Sequence, residues 1–222
     1  MPADETILGL PESARAHLAN VAANLQLIAD MGYGDVALAV VRPDGGLAVV
    51  ADARPATAVA PFGSSRVGQV LDPRDEPEAY DALASGGSVQ GETRRVARGI
   101  KYSTTAWPVA KAPVRAVVVR NLALQVVESS GAMETAFMQV ADELMGTLAD
   151  RPLADVRTGE PFATVRTAGD GVIRVSESGD IAYASPNAVN IMRLAGVESA
   201  LIGMRASAMP GGGFGVSPVL VG

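Results

Sequence analysis

Val36-Ala37-Leu38-Ala39-Val40-Val41-Arg42-Pro43-Asp44-Gly45-Gly46-Leu47-Ala48-Val49-Val50-Ala51 is the stretch that decides the fold. Its first six residues are apolar. Val36, Leu38 and Val40 fall on one side of an extended chain, and Ala37, Ala39 and Val41 on the other. A strand apolar on both sides is covered on both sides. Pro43-Asp44-Gly45-Gly46 is a turn with a mechanism, because proline presets φ and glycine accepts positive φ. Leu47 to Ala51 returns as the second strand of an antiparallel hairpin.

Working outward, residues 11–31 predict an amphipathic helix. Leu18, Val21, Leu25 and Ile28 recur at spacings of three, four and three, which makes one apolar stripe. Pro11 suits the first turn, Glu12 favours the N-terminal end, and Gly32 and Gly34 mark the stop. Downstream, residues 52–100 are irregular and rich in Pro, Gly, Ser and charge, with a short helix over Glu76 to Ala84. A long connection of this kind carries binding loops in small sheet domains. Tyr102 to Ala110 and Val114 to Arg120 predict a second hairpin about Lys111-Ala112-Pro113. Val117, Val118 and Val119 give it strong β character. Residues 131–149 predict a second amphipathic helix, with Met133, Phe137, Val140, Leu144 and Leu148 on its stripe. Ser129 or Ser130 would cap it, and Arg151-Pro152 would stop it.

Residues 151–168 read as a linker. Beyond it, Val172 to Val175 and Ile181 to Ala184 predict a hairpin turning at Ser178-Gly179-Asp180. A helix follows from Pro186 or Asn187, with Ala188, Ile191, Met192 and Ala195 on one face and Gly196 as its stop. The expected class is α+β: an antiparallel sheet domain with flanking helices, then a hairpin-plus-helix unit that is marginal alone.

Composition narrows the function. The 222 residues suffice for one large or two small domains, and 48% apolar with 19% charged is a globular balance. There is no cysteine, which excludes disulfides, thiolate nucleophiles, Cys-ligated zinc and iron–sulfur clusters. The single histidine, His17, excludes multi-His metal sites and leaves a catalytic triad only one base. A net charge of −6 makes the chain a poor non-specific partner for nucleic acid. No apolar run has the length of a membrane span. Met-Pro-Ala-Asp-Glu-Thr lacks the basic and apolar regions of a signal peptide, so a cytoplasmic location is expected.

Several strings carry a family likeness: Ala168-Gly169-Asp170-Gly171-Val172-Ile173-Arg174, Tyr183-Ala184-Ser185-Pro186-Asn187-Ala188 and Met133-Glu134-Thr135-Ala136-Phe137. Leu27-Ile28-Ala29-Asp30 and Arg54-Pro55 add to it. From about residue 12 to 209 the chain resembles the N-terminal sensory region of actinobacterial PdtaS-type sensor histidine kinases. The resemblance implies a GAF-like domain over 1–150, a linker over 151–168 and an incomplete PAS-like domain over 169–222. It further implies signal input to a downstream kinase core, which would move phosphate from ATP to its own histidine and on to a response-regulator aspartate. The chain carries no phosphoacceptor His followed by Asn and no Gly-rich ATP lid, so it is expected to be no enzyme by itself. ATP is expected only for the absent core, with no cofactor in this chain. A small-molecule ligand and a homodimer are the further partners implied, with neither nucleic acid nor membrane. A free-standing ligand-binding or protein-interaction module is the alternative.

Arg94, Arg95, Arg98 and Lys101 form the basic cluster. They suit an anionic small molecule such as a nucleotide, held by guanidinium forks, or else a solvated loop beside Glu92. Replacing Arg94 and Arg95 by alanine is expected to leave the thermal melt nearly unchanged; a large drop would mean a structural pair, not a ligand clamp. Tyr102 and Trp107 either line a pocket or pack a core; five residues apart, they take opposite faces of a strand. Arg54 is a pocket residue or a partner of a helix carbonyl. The candidate ligand-binding set is therefore Arg54, Arg94, Arg95, Tyr102 and Trp107. His17 reads as a surface or interface residue of the first helix, and Asn187 as the cap of the last. Gly211-Gly212-Gly213-Phe214-Gly215 lacks the Lys-Ser/Thr of a phosphate loop. Haem and flavin are disfavoured, since the second unit has neither Cys nor His. Ala14, Ala22, Ala29, Ala136 and Ala141 would let helices approach closely, within the domain or in a dimer.

Overall fold

A computed structural model describes residues 7, 9–56, 58–91, 95–109, 115–150, 169 and 171–209. In chain order the first unit runs α1 (Glu12–Gly32), β1 (Gly34–Val41), β2 (Leu47–Ala53), β3 (Val70–Leu71), α2 (Pro77–Ser85) and β4 (Val89–Gln90). It continues through β5 (Arg95–Ala97), β6 (Ile100–Val109), β7 (Ala116–Ala123), α3 (Leu124–Ser129) and α4 (Ala132–Asp150). The second unit has β8 (Ile173–Val175), β9 (Ile181–Ala184), α5 (Pro186–Leu194) and a 3-10 turn, Ala206–Ala208.

The predicted turn forms, and β1 pairs with β2 from Val41 opposite Leu47 to Val36 opposite Ala53. On its other side β1 pairs with β7, which places it inside a seven-stranded antiparallel sheet. The strand order is β3-β2-β1-β7-β6-β4, with β5 also paired to β6. Gly34 is required where β1 meets β7, because a Cβ there would lie 2.8 Å from the Asn121 carbonyl oxygen. The helix before it ends at Gly32, as expected, and Tyr33 caps it, with a left-handed φ of 51° and an N–H that donates to the Ala29 carbonyl.

Period-two alternation sorts the sheet into two cores. Val36, Leu38 and Val40 join Trp107, Val109 and Val118 against Val21, Leu25 and Ile28 of α1 and Leu144, Met145 and Leu148 of α4. Ala37, Ala39, Ala106, Val117 and Val119 face the other way, toward Ala79 and Ala82 of α2. The first core is built of large side chains and the second mostly of alanine and valine. Each fully buried Leu or Ile on the helix side contributes roughly 2–3 kcal/mol.

Several details differ from expectation. β3, β4, β5 and α3 are too short to leave a periodic signal. The hydroxyls of Ser129 and Ser130 donate back to the Gln125 and Val126 carbonyls and so close α3. The start of α4 is held instead by the Glu134 carboxylate, which accepts the Gly131 N–H at 3.0 Å. Met133 is exposed, one turn ahead of the buried part of its stripe. His17 is 1% exposed, so the reading of it as a surface residue is corrected. Its position, four residues before Val21 and three after Ala14, turns it inward with them. Ala14, Ala29 and Ala141 are spent inside the domain, each 2% exposed or less.

The second unit packs Ile181, Met192, Val197 and Leu201 into its own small core. Ser185, not Asn187, caps α5: its Oγ accepts the Ala188 N–H at 3.2 Å and the Val172 N–H at 3.0 Å. Asn187 lies one residue too far along and reaches the Gly169 carbonyl. This unit rests on α4 through Tyr183 against Phe137, with ring centroids 5.9 Å apart, and Arg174 against Glu143 at 3.1 Å. No helix among the described residues is long and apolar enough to cross a membrane. The expected linker over 151–168, the turn at 111–113 and the tail from 210 lie outside the described residues.

Candidate functional site

The loop-side face of the sheet carries the polar chemistry of the molecule. After β2 the chain crosses this face as a strap, residues 54–56 and 58–69, before reaching β3. Carboxylates fasten it at each stage. At its root, the Ala56 N–H donates to Asp30 Oδ1 at 2.9 Å, and Gln26 Nε2 donates to the Arg54 carbonyl at 2.9 Å. At its middle, the Phe62 N–H donates to Asp35 Oδ2 at 2.7 Å. Further on, Asp52 accepts from the Arg66 N–H at 2.6 Å and from Ser65 Oγ at 3.0 Å. The Arg66 guanidinium then pairs with Glu76, just ahead of α2, and lies 4.3 Å over the Phe62 ring. The Arg98 guanidinium lies against Gly63, in the space a Cβ would take.

The sheet supplies the floor. Asp35 heads β1 on the same side as Ala37, and Tyr102, Thr104 and Ala106 alternate along β6. Arg95 donates to Glu78 at 2.8 Å and to Thr104 Oγ1 at 2.9 Å, and Thr104 passes its proton toward Asn121 Oδ1 at 2.8 Å. Thr104 and Asn121 are buried. Beneath the strap remains a cavity of about 10 Å³, bounded by Asp35, Asp52, Arg54, Phe62, Arg66 and Asn121 among others. Burial raises the Asp35 carboxyl above its ordinary range, against the pull of the Phe62 N–H, Arg54 and Arg66. Burial also raises the Tyr102 phenol, and Glu76 adds to the effect.

Three of the five candidate residues meet on this face. Arg54 lines the cavity and reaches Asp52 at 3.3 Å, while its own carbonyl takes the Gln26 side chain of α1. Arg95 stands over β6 in its ion pair with Glu78. Tyr102 packs against Phe62 at 5.6 Å between ring centroids. Trp107 is on the opposite face, inside the helix-side core, with the Arg120 guanidinium 5.3 Å from its ring. Arg94 lies outside the described residues. Sequence reading missed Asp35, Asp52, Arg66, Glu76 and Glu78. Asp35 alone left a signal, as a charge heading an otherwise apolar strand. The arrangement holds groups by charge and hydrogen bonds, and among the described residues no cluster of three or more His, Cys, Asp or Glu is placed to hold a metal ion.

A line of rings leads away from this region. Tyr33, at the end of α1, meets Phe137 of α4 edge-on at 6.4 Å, and Phe137 meets Tyr183 of the second unit. Tyr33 also borders an open depression of about 520 Å³ with Val59, Gln125, Val126 and Glu134.

Comparison with known proteins gives this geometry a family. The chain is 30% identical over 200 residues to the sensor histidine kinase PdtaS of Mycolicibacterium smegmatis, covering 87% of this chain and 40% of that protein. Against sensor histidine kinase PdtaS of Mycobacterium tuberculosis the identity is 32% over 209 residues, covering 91% of this chain and 41% of that protein. The chain thus spans about two fifths of the length of the curated relatives it matches. A solved structure, the sensor region of a sensor histidine kinase, superposes with a TM-score of 0.69 at 29% identity, covering 89% of this chain and 69% of that one. The family described as histidine kinase PdtaS, GAF domain, matches residues 5–141, which take in α1, the whole sheet and the strap. With that match over more than half its length, the chain belongs to the PdtaS histidine kinase GAF-domain family.

Proposed function

We propose that this chain is the signal-input region of a cytoplasmic two-component histidine kinase, a longer protein whose remainder carries the kinase core. Its loop-side face takes a small molecule, and the strap and helices pass the change onward. One observation carries this reading: a continuous set of contacts joins the strap to α1, α1 to α4, and α4 to the second unit. Gln26 and Asp30 of α1 hold the strap root, and Tyr33, Phe137 and Tyr183 bridge the helices to β9. A ligand that favours one strap position thereby favours one helix packing, which is what signalling requires.

Residues 1–150 act as the sensor domain, 151–168 as the linker, and 169–222 as the first part of a PAS-like domain. The chain performs no chemistry and holds no cofactor. ATP belongs to the kinase core, which phosphorylates its own histidine and then a response regulator, as a homodimer. Incubation of the full-length protein with γ-labelled ATP tests this. Label is expected on the full-length protein and absent from residues 1–222 alone, and Phe137→Ala is expected to alter the labelling rate. Label on His17 of the isolated chain would overturn the reading, as would a full-length protein that takes up none.

A further inference from the structure

On the loop-side face one buried acid lacks a cation partner among the described residues. Asp35, Asp52, Glu76 and Glu78 face Arg54, Arg66 and Arg95, and each guanidinium has a carboxylate partner: Asp52, Glu76 and Glu78 in turn. Asp35 is the acid left over. It is 5% exposed, and among the described residues it makes no ion pair within 4.0 Å. Its Oδ2 accepts the Phe62 N–H, whereas Oδ1 is buried with no hydrogen-bond partner. Glu76 Oε2 and Glu78 Oε2 are likewise buried and unpartnered. Against these three acceptors stands one unpartnered donor, Arg66 Nη1.

An anion fits this cluster poorly. It would meet the unpaired Asp35 carboxylate, and to reach Arg54 or Arg66 it would have to take a guanidinium from a carboxylate that would then stand unpaired. A compact cation rich in donors answers the unpaired charge and the unmet Oδ1 of Asp35, which lines the cavity; Glu76 and Glu78 do not line it. Size restricts it further: the cavity that Asp35 lines is about 10 Å³, room for one group the size of water.

We propose that the cavity beside Asp35 receives a primary ammonium group, as ammonium itself or as the head of a small alkylamine, with Asp35 Oδ1 as its acceptor. This rests on the loop-side face being the sensory site. The consequence for the strap is direct. A cation at Oδ1 holds the carboxylate in its charged form, and a charged acceptor strengthens the Phe62 N–H bond at Oδ2. Asp52, Arg54 and Arg66 are the other charged groups that face Asp35, and they remain paired as they are. Occupancy therefore tightens the strap, whose root is fastened to α1.

Thermal melting of the 222-residue chain in ammonium chloride against sodium chloride of equal ionic strength tests the proposal. Ammonium at ten times its dissociation constant is expected to raise Tm by roughly 3 °C. Methylammonium is expected to raise it less, and tetramethylammonium, which has no donor, not at all. Asp35→Asn is expected to abolish the rise. The carboxyl carbon resonance of Asp35, followed by NMR in the unaltered chain, gives a readout independent of that variant; ammonium is expected to move its titration to lower pH. Equal melting in the two salts with an unmoved Asp35 titration would overturn the proposal. Stabilisation by inorganic phosphate or AMP but not by ammonium would also overturn it, leaving the sensory reading intact. Ammonium binding that leaves self-labelling of the full-length protein unchanged would uphold the site and sink the sensory reading instead.

Discussion

On one side of the central strand, Val36, Leu38 and Val40 meet Leu25, Ile28 and Leu144 across a continuous apolar layer. One residue along the same strand, on the other side, Asp35, Ala37 and Ala39 lie under a strap tied down by carboxylates. The helix side is held by burial, which needs only large side chains at the right period and tolerates much substitution of like for like. The loop side is held by particular pairs, each of which must find its partner or be left desolvated and alone. Burial supplies stability without chemical selectivity. Pairing supplies selectivity, and its cost on disruption is concentrated in single contacts.

The sharpest way to break this contrast is Arg66→Ala, which strands Glu76, 4% exposed. A loss of about 3–5 kcal/mol is expected in urea unfolding, and the joint replacement Arg66→Met with Glu76→Leu is expected to restore most of it. If the single variant loses nothing, the loop face is not held by its pairs. Leu25→Ala is the counterpart on the helix side. It removes a side chain 1% exposed and is expected to cost about 3 kcal/mol, with no substitution elsewhere able to rescue it by charge.

Arg95→Ala comes next, at about 2 kcal/mol, because Glu78 loses its cation and Thr104 a donor. This reverses the expectation from sequence that replacing Arg94 and Arg95 leaves the melt nearly unchanged. A melting curve that matches the unaltered protein would restore that expectation.

Asp35 sharpens the comparison through pH. Burial places its folded titration above the unfolded one, so the folded state takes up the proton first. Its stabilising contribution is present at low pH and is lost as pH rises through the folded titration. The unaltered protein should therefore lose stability relative to Asp35→Asn as pH climbs out of the ordinary carboxylate range. A difference in Tm that stays constant with pH would contradict this. The smallest effect is expected at the boundary of the two units. Arg174 and Glu143 are 46% and 33% exposed, and Arg174→Ala should cost less than about 1 kcal/mol, less still in high salt.

The hairpin at Val36–Ala51, both amphipathic helices and the second hairpin could be read from residue order, with ends shifted by one to three positions. Their faces were legible too: Trp107 and Tyr102 do lie on opposite sides of β6. The site was legible only in part. Arg54, Arg95 and Tyr102 announced themselves as charge or ring in a variable stretch, but the carboxylates that hold the two arginines did not. Nothing in Asp52 or Glu78 distinguishes a buried partner from a solvated acid until the chain path is known. The helix caps failed for a related reason: Ser185 and Asn187 are both good caps, and only the backbone angle at the helix start selects one.

The sequence by itself determined the α+β class, the two amphipathic helices and which strand residues share a side, because these depend on periods of 3.6 and 2 that neighbouring residues carry. The tertiary structure alone decided the pairings of the loop-side site. Arg66 finds Glu76 across 10 residues, Arg95 finds Glu78 across 17, and Phe62 finds Asp35 across 27. Such partners are set by where the aperiodic strap and the short elements α2 and β5 meet over the sheet. Coulomb attraction and desolvation depend on distance through space, which local spacing along a loop does not encode.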